Sequence, residues 1–250
     1  MGLENTAAVV TGGASGLGFA TASNFRGAGA QVTILDRDPN GADAAAKIGA
    51  HFIQTDVADE QSVDAAITFA VEKMGRITAV VNCAGIGTAE KTVGRDGPHK
   101  LDHFKRIIDV NLVGSFNVAR LAAVEIAKND PASDGARGVI INTASVAAFD
   151  GQKGQAGYAA SKAGIAGMSL PMARDLASLG IRVMAIAPGI FMTPMLAGLP
   201  EEVQAGLAAS VTCPKRLGDP SEYASLARFI VENGYLNGET IRIDGALRMQ

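Results

Sequence analysis

A tyrosine and a lysine stand four residues apart in the second half of the chain, as Tyr158 and Lys162 in the run Tyr-Ala-Ala-Ser-Lys. Residues at this spacing share one face of a helix, so the phenol and the ammonium would be neighbours. A free phenol titrates near pH ~10, and a nearby cation favours its ionised form. The spacing therefore predicts that Tyr158 exchanges a proton and that Lys162 lowers its pKa. A half-buried tyrosine beside a solvated lysine would show the same pattern, so the rest of the chain must decide.

Short runs rich in valine and isoleucine alternate with longer amphipathic or alanine-rich segments along the chain. This alternation is typical of βαβ units in a parallel sheet. Strands are predicted at residues 7–11, 31–35, 51–55, 78–82, 138–142, 182–187 and 240–243, with helices between them. No linker divides the 250 residues, of which 48% are apolar. We therefore predict one α/β domain over residues 1–250, with a doubly wound parallel sheet and helices on both faces.

A glycine-rich turn follows the first predicted strand, in Thr-Gly-Gly-Ala-Ser-Gly-Leu-Gly at residues 11–18. Gly12, Gly16 and Gly18 have no side chains, so backbone N–H groups can approach a pyrophosphate. A helix predicted over residues 19–29 adds partial positive charge at its N-terminus. The turn is thus predicted to bind the phosphates of a dinucleotide, and a purely structural glycine turn is the alternative.

An aspartate ends the second predicted strand, in Thr-Ile-Leu-Asp-Arg at residues 33–37. A carboxylate about 20 residues beyond a glycine turn accepts hydrogen bonds from the adenosine ribose and repels a 2′-phosphate. Asp36 therefore favours NAD over NADP. Arg37 points the other way, because an arginine here could receive a 2′-phosphate.

Two more predicted strand ends have residues suited to a nucleotide. Asp56-Val57 follows the third strand and could contact the adenine, with a turn or helix N-cap aspartate as the alternative. Asn82-Cys83-Ala84-Gly85 closes the fourth strand, and its small side chains leave room for a cofactor. Open α/β sheets bind ligands at this carboxyl edge.

Asn111 and Ser145 are the other candidate catalytic residues. Asn111 lies in a helical segment predicted over residues 101–128, where a buried amide needs hydrogen-bond partners. Ser145 follows the fifth strand and lies thirteen residues before Tyr158. Each residue alone is more often structural than catalytic.

Charge and residue counts exclude several other functions. A net charge of −3 and a pI near 5.6 provide no field that attracts nucleic acid. Cys83 and Cys213 match neither a disulfide framework nor a metal site, and predict reduced thiols in the cytoplasm. His51, His99 and His103 have no ligand spacing, so no metal is expected. No apolar run reaches the ~18 residues of a membrane span, and no signal peptide is indicated.

Together these segments resemble the short-chain dehydrogenase/reductases, in the same order over the whole chain. The resemblance rests on the glycine turn, Asn-Cys-Ala-Gly at residues 82–85, Asn111, Ser145, the Tyr158 and Lys162 pair, and Pro188-Gly189. The runs at residues 139–149, 216–220, 244–246 and 248–250 further resemble the subgroup of type-2 3-hydroxyacyl-CoA dehydrogenases, also described as 17β-hydroxysteroid dehydrogenases.

The resemblance implies a Rossmann-like fold and four catalytic residues. Tyr158 exchanges a proton with the substrate oxygen, and hydride passes between the substrate carbon and nicotinamide. Ser145 donates to the reacting oxygen. Lys162 also binds the nicotinamide ribose, and Asn111 holds a water that links Lys162 to solvent. The implied NAD-binding residues are Gly12, Ser15, Gly16, Leu17, Gly18, Asp36, Asp56, Val57, Cys83, Gly85, Tyr158, Lys162, Pro188, Phe191 and Thr193.

The substrate is indicated by the segments around this pair. Residues 190–213 are apolar for a surface loop and predict a lid over a hydrophobic substrate, with core or subunit contacts as the alternative. Gln152 and Gln155 could hydrogen-bond a thioester or second carbonyl, so the predicted substrate residues are Ser145, Gln155 and Tyr158. Residues 91–106 include five basic side chains that would either meet coenzyme A phosphates or form a solvated surface.

The leading hypothesis is NAD-linked interconversion of (S)-3-hydroxyacyl-CoA and 3-oxoacyl-CoA. The alternatives are a dehydrogenase of another apolar secondary alcohol or hydroxysteroid, and an NAD-binding scaffold without turnover. The resemblance also implies a homotetramer, in which the segments 101–128 and 155–179 pair across one interface and the C-terminal tail joins another. A cytoplasmic location is expected from the reduced thiols and the missing secretion signal. Only small molecules are expected as further partners, with no nucleic acid and no membrane.

Overall fold

Seven parallel strands form the central sheet of the protein in a computed structural model, which describes residues 2–249 and only the backbone of Met195. Met1 and Gln250, the last residue of the run 248–250, lie outside the described residues. The strands of this sheet are β1 Ala7–Thr11, β2 Gln31–Asp36, β3 His51–Gln54, β4 Ala79–Asn82, β7 Gly138–Thr143, β8 Ile181–Pro188 and β9 Thr240–Ile243. Two further short strands, β5 Val93–Gly94 and β6 Gly97–Pro98, lie outside it. All seven predicted strands are confirmed, with bounds that differ by at most one residue.

Helices connect the strands and cover both faces of the sheet. They are α1 Gly16–Gly27, α2 Gly41–Ile48, α3 Glu60–Met74, α4 Leu101–Ile108, α5 Gly114–Ala127, α6 Ala156–Leu176, α7 Pro194–Ala197, α8 Glu201–Ser210 and α9 Pro220–Glu232. Short helical turns occur at Leu3–Asn5, Asp109–Val113, Val146–Ala148 and Ala177–Leu179. The strands β5 and β6 form a small separate hairpin within the predicted insertion.

Alternate strand residues supply two apolar layers. Val9 and Val80 pack in one layer with buried residues of α3, α5 and α6. Val10 and Val81 pack in the other layer with buried residues of α1 and α9. Both sets are fully buried, as expected of parallel strands covered on both faces. The loops at the carboxyl edge therefore extend from a sheet whose central strands are packed on both faces.

The strand order places the candidate residues at one edge of the sheet. The order is β3-β2-β1-β4-β7-β8-β9, and every neighbouring pair is parallel. Strands β1 to β3 are added toward one side of the sheet and β4 and its successors toward the other, and this switch between β1 and β4 creates the crevice where such sheets bind ligands. The glycine turn after β1, residues 82–85 after β4 and Ser145 after β7 all lie at this edge.

Two helices differ from the prediction in ways that affect the site. The helix α1 begins at Gly16, three residues earlier than predicted, so the helix starts inside the glycine turn. The segment predicted as one helix over 101–128 is divided by a π-helical turn at Asp109–Val113. Such turns occur often at functional sites, and this one contains Asn111.

The stretch Leu101–Ala127 is the one helical segment of the described chain that is long and apolar enough to cross a membrane, by length and composition alone. Half of its apolar window is buried inside the protein, where Val118, Ala122 and Ile126 pack in the core. Core helices meet the same criterion, so the stretch is weak support for a membrane span.

Candidate active site

A cleft of about 730 Å³ opens at the carboxyl edge of the sheet. Of the predicted site residues, all but Asn111 line it: Gly12, Ser15, Gly16, Leu17, Gly18, Asp36, Asp56, Val57, Cys83, Gly85, Ser145, Gln155, Tyr158, Lys162, Pro188, Phe191 and Thr193. The volume is in the range of sites that hold a cofactor or a small ligand. The fold therefore joins the glycine turn and the Tyr158 and Lys162 pair in one continuous site.

The glycine turn fits closely against the neighbouring backbone. Gly12 and Gly16 have φ values of +63° and +55°, in the left-handed region. A Cβ on Gly12 would lie 2.8 Å from the Ala84 backbone, and one on Gly18 would overlap the Gly12 carbonyl oxygen. The Ser15 side chain does not cap the first amides of α1. The turn thus leaves backbone N–H groups at a helix N-terminus beside the cleft, an arrangement that fits the pyrophosphate of a dinucleotide.

Two backbone amides hold the Asp36 carboxylate at the edge of the cleft. One oxygen accepts from the Ala14 N–H at 3.0 Å and the other from the Asp38 N–H at 3.0 Å. A carboxylate has about four acceptor positions, so it can still accept from two ribose hydroxyls. Arg37 also lines the cleft and is exposed. Asp36, which favours NAD, and Arg37, which could receive a 2′-phosphate, therefore both line the same part of the cleft.

Asp56 has the turn role that the sequence left as an alternative. Its Oδ1 accepts from the Ala58 N–H at 3.0 Å, and the N-cap of α3 is Asp59. Asp56 also lines the cleft next to the buried Val57. A contact with adenine stays a prediction.

Ser145 and Tyr158 meet in the cleft. Ser145 begins the turn Val146–Ala148, where its Oγ accepts from the Ala147 N–H at 3.1 Å. Tyr158 projects from the first turns of α6, and its phenol shares a hydrogen bond with the Ser145 hydroxyl. A substrate oxygen near both hydroxyls would meet one group that holds it and one that exchanges a proton with it.

The pKa of Tyr158 differs from the sequence-based prediction. Burial raises it above its ordinary value, and the Ser145 hydroxyl is the group that lowers it. Lys162 Nζ lies 5.7 Å from the centre of the phenol ring. The predicted lowering by Lys162 is therefore wrong for the protein alone, because desolvation of the phenol dominates and Lys162 is not among the groups that shift its pKa.

Lys162 is buried at the bottom of the cleft. Its Nζ donates to the Thr143 carbonyl at 2.7 Å. Burial lowers the pKa of Lys162 to about 8, since few groups replace the lost water around its charge. An anion or a second hydrogen-bond acceptor near Lys162 Nζ would therefore be bound favourably.

Asn111 lies beneath the cleft. Its Oδ1 accepts from the Ile86 N–H at 2.8 Å, and its Nδ2 donates to the Ile86 carbonyl at 2.9 Å and to Ser161 Oγ at 3.0 Å. A Cβ on Gly85 would lie 3.2 Å from Asn111 Oδ1 and 3.6 Å from Lys162 Nζ. The side chain thus fixes the loop after β4, and the predicted water link to Lys162 stays a prediction.

A hydrogen-bonded triangle joins two residues that line the cleft, Cys83 and Thr143, to Tyr223, and it was not predicted from the sequence. The Tyr223 hydroxyl, from α9, lies 2.7 Å from Thr143 Oγ1, and Cys83 Sγ lies 3.6 Å from both. Tyr223 is fully buried. Burial also raises the pKa of the Cys83 thiol, so this cysteine is held neutral. Residue 223 gave no sequence signal, because these contacts join residues up to 140 positions apart.

The predicted lid forms part of the cleft wall. Phe191 is buried and belongs to the core, while Leu196 and Leu207 of α7 and α8 also line the cleft. No described residue of α8 is buried. The first part of the segment thus packs in the core, whereas its role as a lid over a substrate stays a prediction.

The Glu90 carboxylate contacts two residues of the segment 91–106, the basic insertion. It accepts from the Lys100 N–H at 2.8 Å, and His103 Nδ1 lies 2.7 Å from its Oε2. The five basic side chains of the insertion, Lys91, Arg95, Lys100, Lys105 and Arg106, are all exposed. A contact with coenzyme A stays a prediction. Across residues 2–249, no group of three or more His, Cys, Asp or Glu is placed to hold a metal ion.

Comparisons with known proteins agree with this geometry. Residues 6–204 match the model of the short chain dehydrogenase family. The chain is 55% identical to a 3-hydroxyacyl-CoA dehydrogenase type-2 of Bos taurus, over 99% of this chain and 97% of the relative. It is 54% identical to the protein of the same name from Drosophila melanogaster, over 99% of each. A crystal structure of 3-hydroxyacyl-CoA dehydrogenase type-2 from Mycobacterium avium has a TM-score of 0.95 and 44% identity, over 99% of this chain and 98% of that chain.

Proposed function

The chain belongs to the short-chain dehydrogenase family and is an oxidoreductase, and on this premise we propose that it interconverts (S)-3-hydroxyacyl-CoA and 3-oxoacyl-CoA with NAD. The observation that carries the proposal is the meeting of Ser145, Tyr158 and Lys162 in the same cleft as the glycine turn. The full-length similarity to 3-hydroxyacyl-CoA dehydrogenases type-2 supports the substrate class.

The residues of the cleft can perform the proton chemistry of this reaction. NAD, when bound by the glycine turn and Asp36, supplies the acceptor or donor of hydride and a positive nicotinamide ring. Tyr158 takes the proton from the substrate hydroxyl in oxidation and returns it to the carbonyl oxygen in reduction. Ser145 holds the same oxygen by donating to it, an interaction that strengthens as negative charge develops.

We expect Lys162 to favour the ionised phenol only when the cofactor is bound. Its charge is weakly compensated, because the Thr143 carbonyl is the one hydrogen-bond acceptor for Nζ among the described residues. We expect a ribose hydroxyl to provide a second acceptor. That contact would fix Nζ near Tyr158 and raise the fraction of phenolate.

The preference for NAD rests on Asp36. We expect Asp36→Ala to lower the ratio of kcat/KM for NAD over that for NADP, because the carboxylate no longer binds the ribose or repels a 2′-phosphate. Arg37→Ala is the matched control, and it should leave the preference for NAD intact or increase it. An unchanged ratio in Asp36→Ala would refute the assigned role.

A second candidate function is oxidation of another apolar secondary alcohol or a hydroxysteroid. The apolar cleft wall formed by Leu196 and Leu207 favours it, because such a wall suits any extended hydrophobic substrate.

We place the protein in the cytoplasm, in line with the reduced Cys83 and Cys213.

One assay separates these functions. Purified protein is mixed with NAD and, in turn, 3-hydroxybutyryl-CoA, a longer 3-hydroxyacyl-CoA, a hydroxysteroid and a simple secondary alcohol, and NADH is followed by its absorbance. We expect the highest kcat/KM for the (S)-3-hydroxyacyl-CoA substrates. A higher value for the steroid or the alcohol would support the second candidate. Tight NAD binding without turnover of any substrate would indicate an NAD-binding scaffold and would contradict the proposed activity.

A further inference from the structure

The segment after β9 forms a tight turn next to the cleft. The Leu247 N–H donates to the Asp244 carbonyl at 3.0 Å, and Gly245 and Ala246 have φ values of +56° and +62°. Two successive positive φ values define a type I′ turn. Ala246 is the one residue other than glycine with a positive φ in the part of the chain that the structure describes. Other contacts must offset the cost of this conformation.

The turn is held to the end of the lid and to Gly189, which lines the cleft. The Gly245 carbonyl accepts from the Thr212 and Cys213 N–H groups, each at 3.1 Å, at the end of the lid. Gly189 packs so closely that a Cβ there would lie 2.9 Å from Asp244 Cα. Beyond the turn, Met249 lines the cleft itself. A shift of the turn would therefore move both the lid end and Met249.

Arg242 joins this turn to the segment that follows Ser145. Its Nη2 donates to Asp150 Oδ2 at 2.6 Å and to the Leu247 carbonyl at 3.0 Å, and its Nε donates to Asp244 Oδ2 at 2.8 Å. The guanidinium carbon lies 5.4 Å from the centre of the Phe149 ring. The Arg242, Asp150 and Asp244 side chains are 22%, 19% and 9% exposed, so water screens these contacts only weakly.

We propose that Arg242 is a positioning residue that locks the segment 146–150 to the turn 244–247, and that Met249 determines specificity for the acyl chain. The proposal rests on the proposed function. A guanidinium suits the role because its planar fork can bind two carboxylates and a carbonyl at once, which a lysine ammonium cannot do with the same geometry. Met249 is flexible and apolar, as a contact for an alkyl chain should be.

Steady-state kinetics with acyl chains of two lengths test the proposal. We expect Arg242→Lys and Asp150→Asn each to raise KM for the acyl-CoA by roughly tenfold, because small displacements of a positioned wall are costly. The KM for NAD should stay within about twofold of wild type, since none of the hydrogen bonds of the Arg242 side chain involves the glycine turn or Asp36. Met249→Ala should increase the kcat/KM ratio of the long acyl chain over the short one, because the cleft gains space.

Hydrogen exchange provides a measurement that does not depend on turnover. Amides in residues 146–155 and 211–213 should exchange faster in Asp150→Asn than in wild type, and those of β1 and β4 should not change. A wild-type protein without activity on any acyl-CoA would refute the proposed function, while faster exchange would still support the lock. Unchanged exchange, an unchanged acyl-CoA KM in Asp150→Asn, or an unchanged chain-length ratio in Met249→Ala would overturn the inference.

Discussion

Tyr158 and Ser145 meet because a short turn and the start of α6 follow the same strand, β7. The glycine turn, Asp36 and the Tyr158 and Lys162 pair could be predicted, because each has a local motif that reports its chemistry. Thr143 and Tyr223 could not be predicted, since the Lys162 hydrogen bond and the buried hydroxyl pair depend on contacts between distant segments. The pKa of Tyr158 was predicted in the wrong direction, because sequence spacing does not show how deeply a phenol is buried.

At the residue scale, the two cysteines should react very differently with a thiol reagent. Burial raises the pKa of Cys83, so little thiolate forms near pH 8, whereas Cys213 is exposed. Cys213→Ser keeps the Cys83 thiol, and Cys83→Ser keeps the Cys213 thiol. We expect Cys83 in the first variant to be alkylated at least ~tenfold more slowly than Cys213 in the second. The rate of the slow thiol should continue to rise above pH 9, because more thiolate forms there.

The two single-cysteine variants serve as controls for each other, and circular dichroism checks that both are folded. Equal alkylation rates at pH 8 would show that the Cys83 thiol is neither buried nor held neutral.

At the element scale, apolar runs rich in β-branched residues were sufficient to place the central strands β1, β4, β7 and β8, because both faces of these parallel strands are buried. The π-helical turn at Asp109–Val113 was not predicted, since it changes the backbone hydrogen bonds without interrupting the apolar periodicity. The early start of α1 at Gly16 was missed for a similar reason, because glycines usually indicate a turn rather than a helix.

Two glycines of α1 offer a matched test of the close fit at the phosphate site. Gly18→Ala would place a methyl group against the Gly12 carbonyl oxygen, so we expect a loss of about 1–3 kcal/mol in the free energy of unfolding and weaker NAD binding. A Cβ on Gly27 meets nothing within 4 Å. Gly27→Ala should therefore stabilise the protein by about 0.5–1 kcal/mol.

Urea unfolding gives the stability of each variant, and calorimetric titration gives the NAD affinity. If Gly18→Ala were as stable as Gly27→Ala and bound NAD like wild type, the proposed contact between the turn and the cofactor would be wrong.

At the scale of the whole molecule, an apolar stripe lies exposed beside α5. Val113, Phe116 and Val124 are 46%, 46% and 57% exposed and recur at helical spacing, and Leu170 of α6 is 44% exposed. Exposed apolar patches often mark subunit interfaces. The stripe lies on the helical segments whose pairing in a homotetramer is implied by the family resemblance.

We therefore expect Phe116→Glu to reduce the mass of the assembly, because a charge at a buried contact is costly. Val93→Glu is the control, since Val93 is 73% exposed on the hairpin β5–β6, which is part of neither α5 nor α6. Light scattering coupled to size exclusion measures the mass. A wild-type monomer, or a Phe116→Glu protein with the wild-type mass, would contradict this interface.

The central claim is that Tyr158 transfers the proton in an NAD-linked oxidation, and Tyr158→Phe tests it most directly. The change removes one hydroxyl and keeps the ring, so the NAD affinity measured by calorimetry should stay within about threefold of wild type. The turnover number with (S)-3-hydroxybutyryl-CoA should fall by ~10²–10⁴, the usual contribution of general acid and base catalysis. A Tyr158→Phe enzyme that retains more than about a tenth of wild-type turnover would contradict the claim.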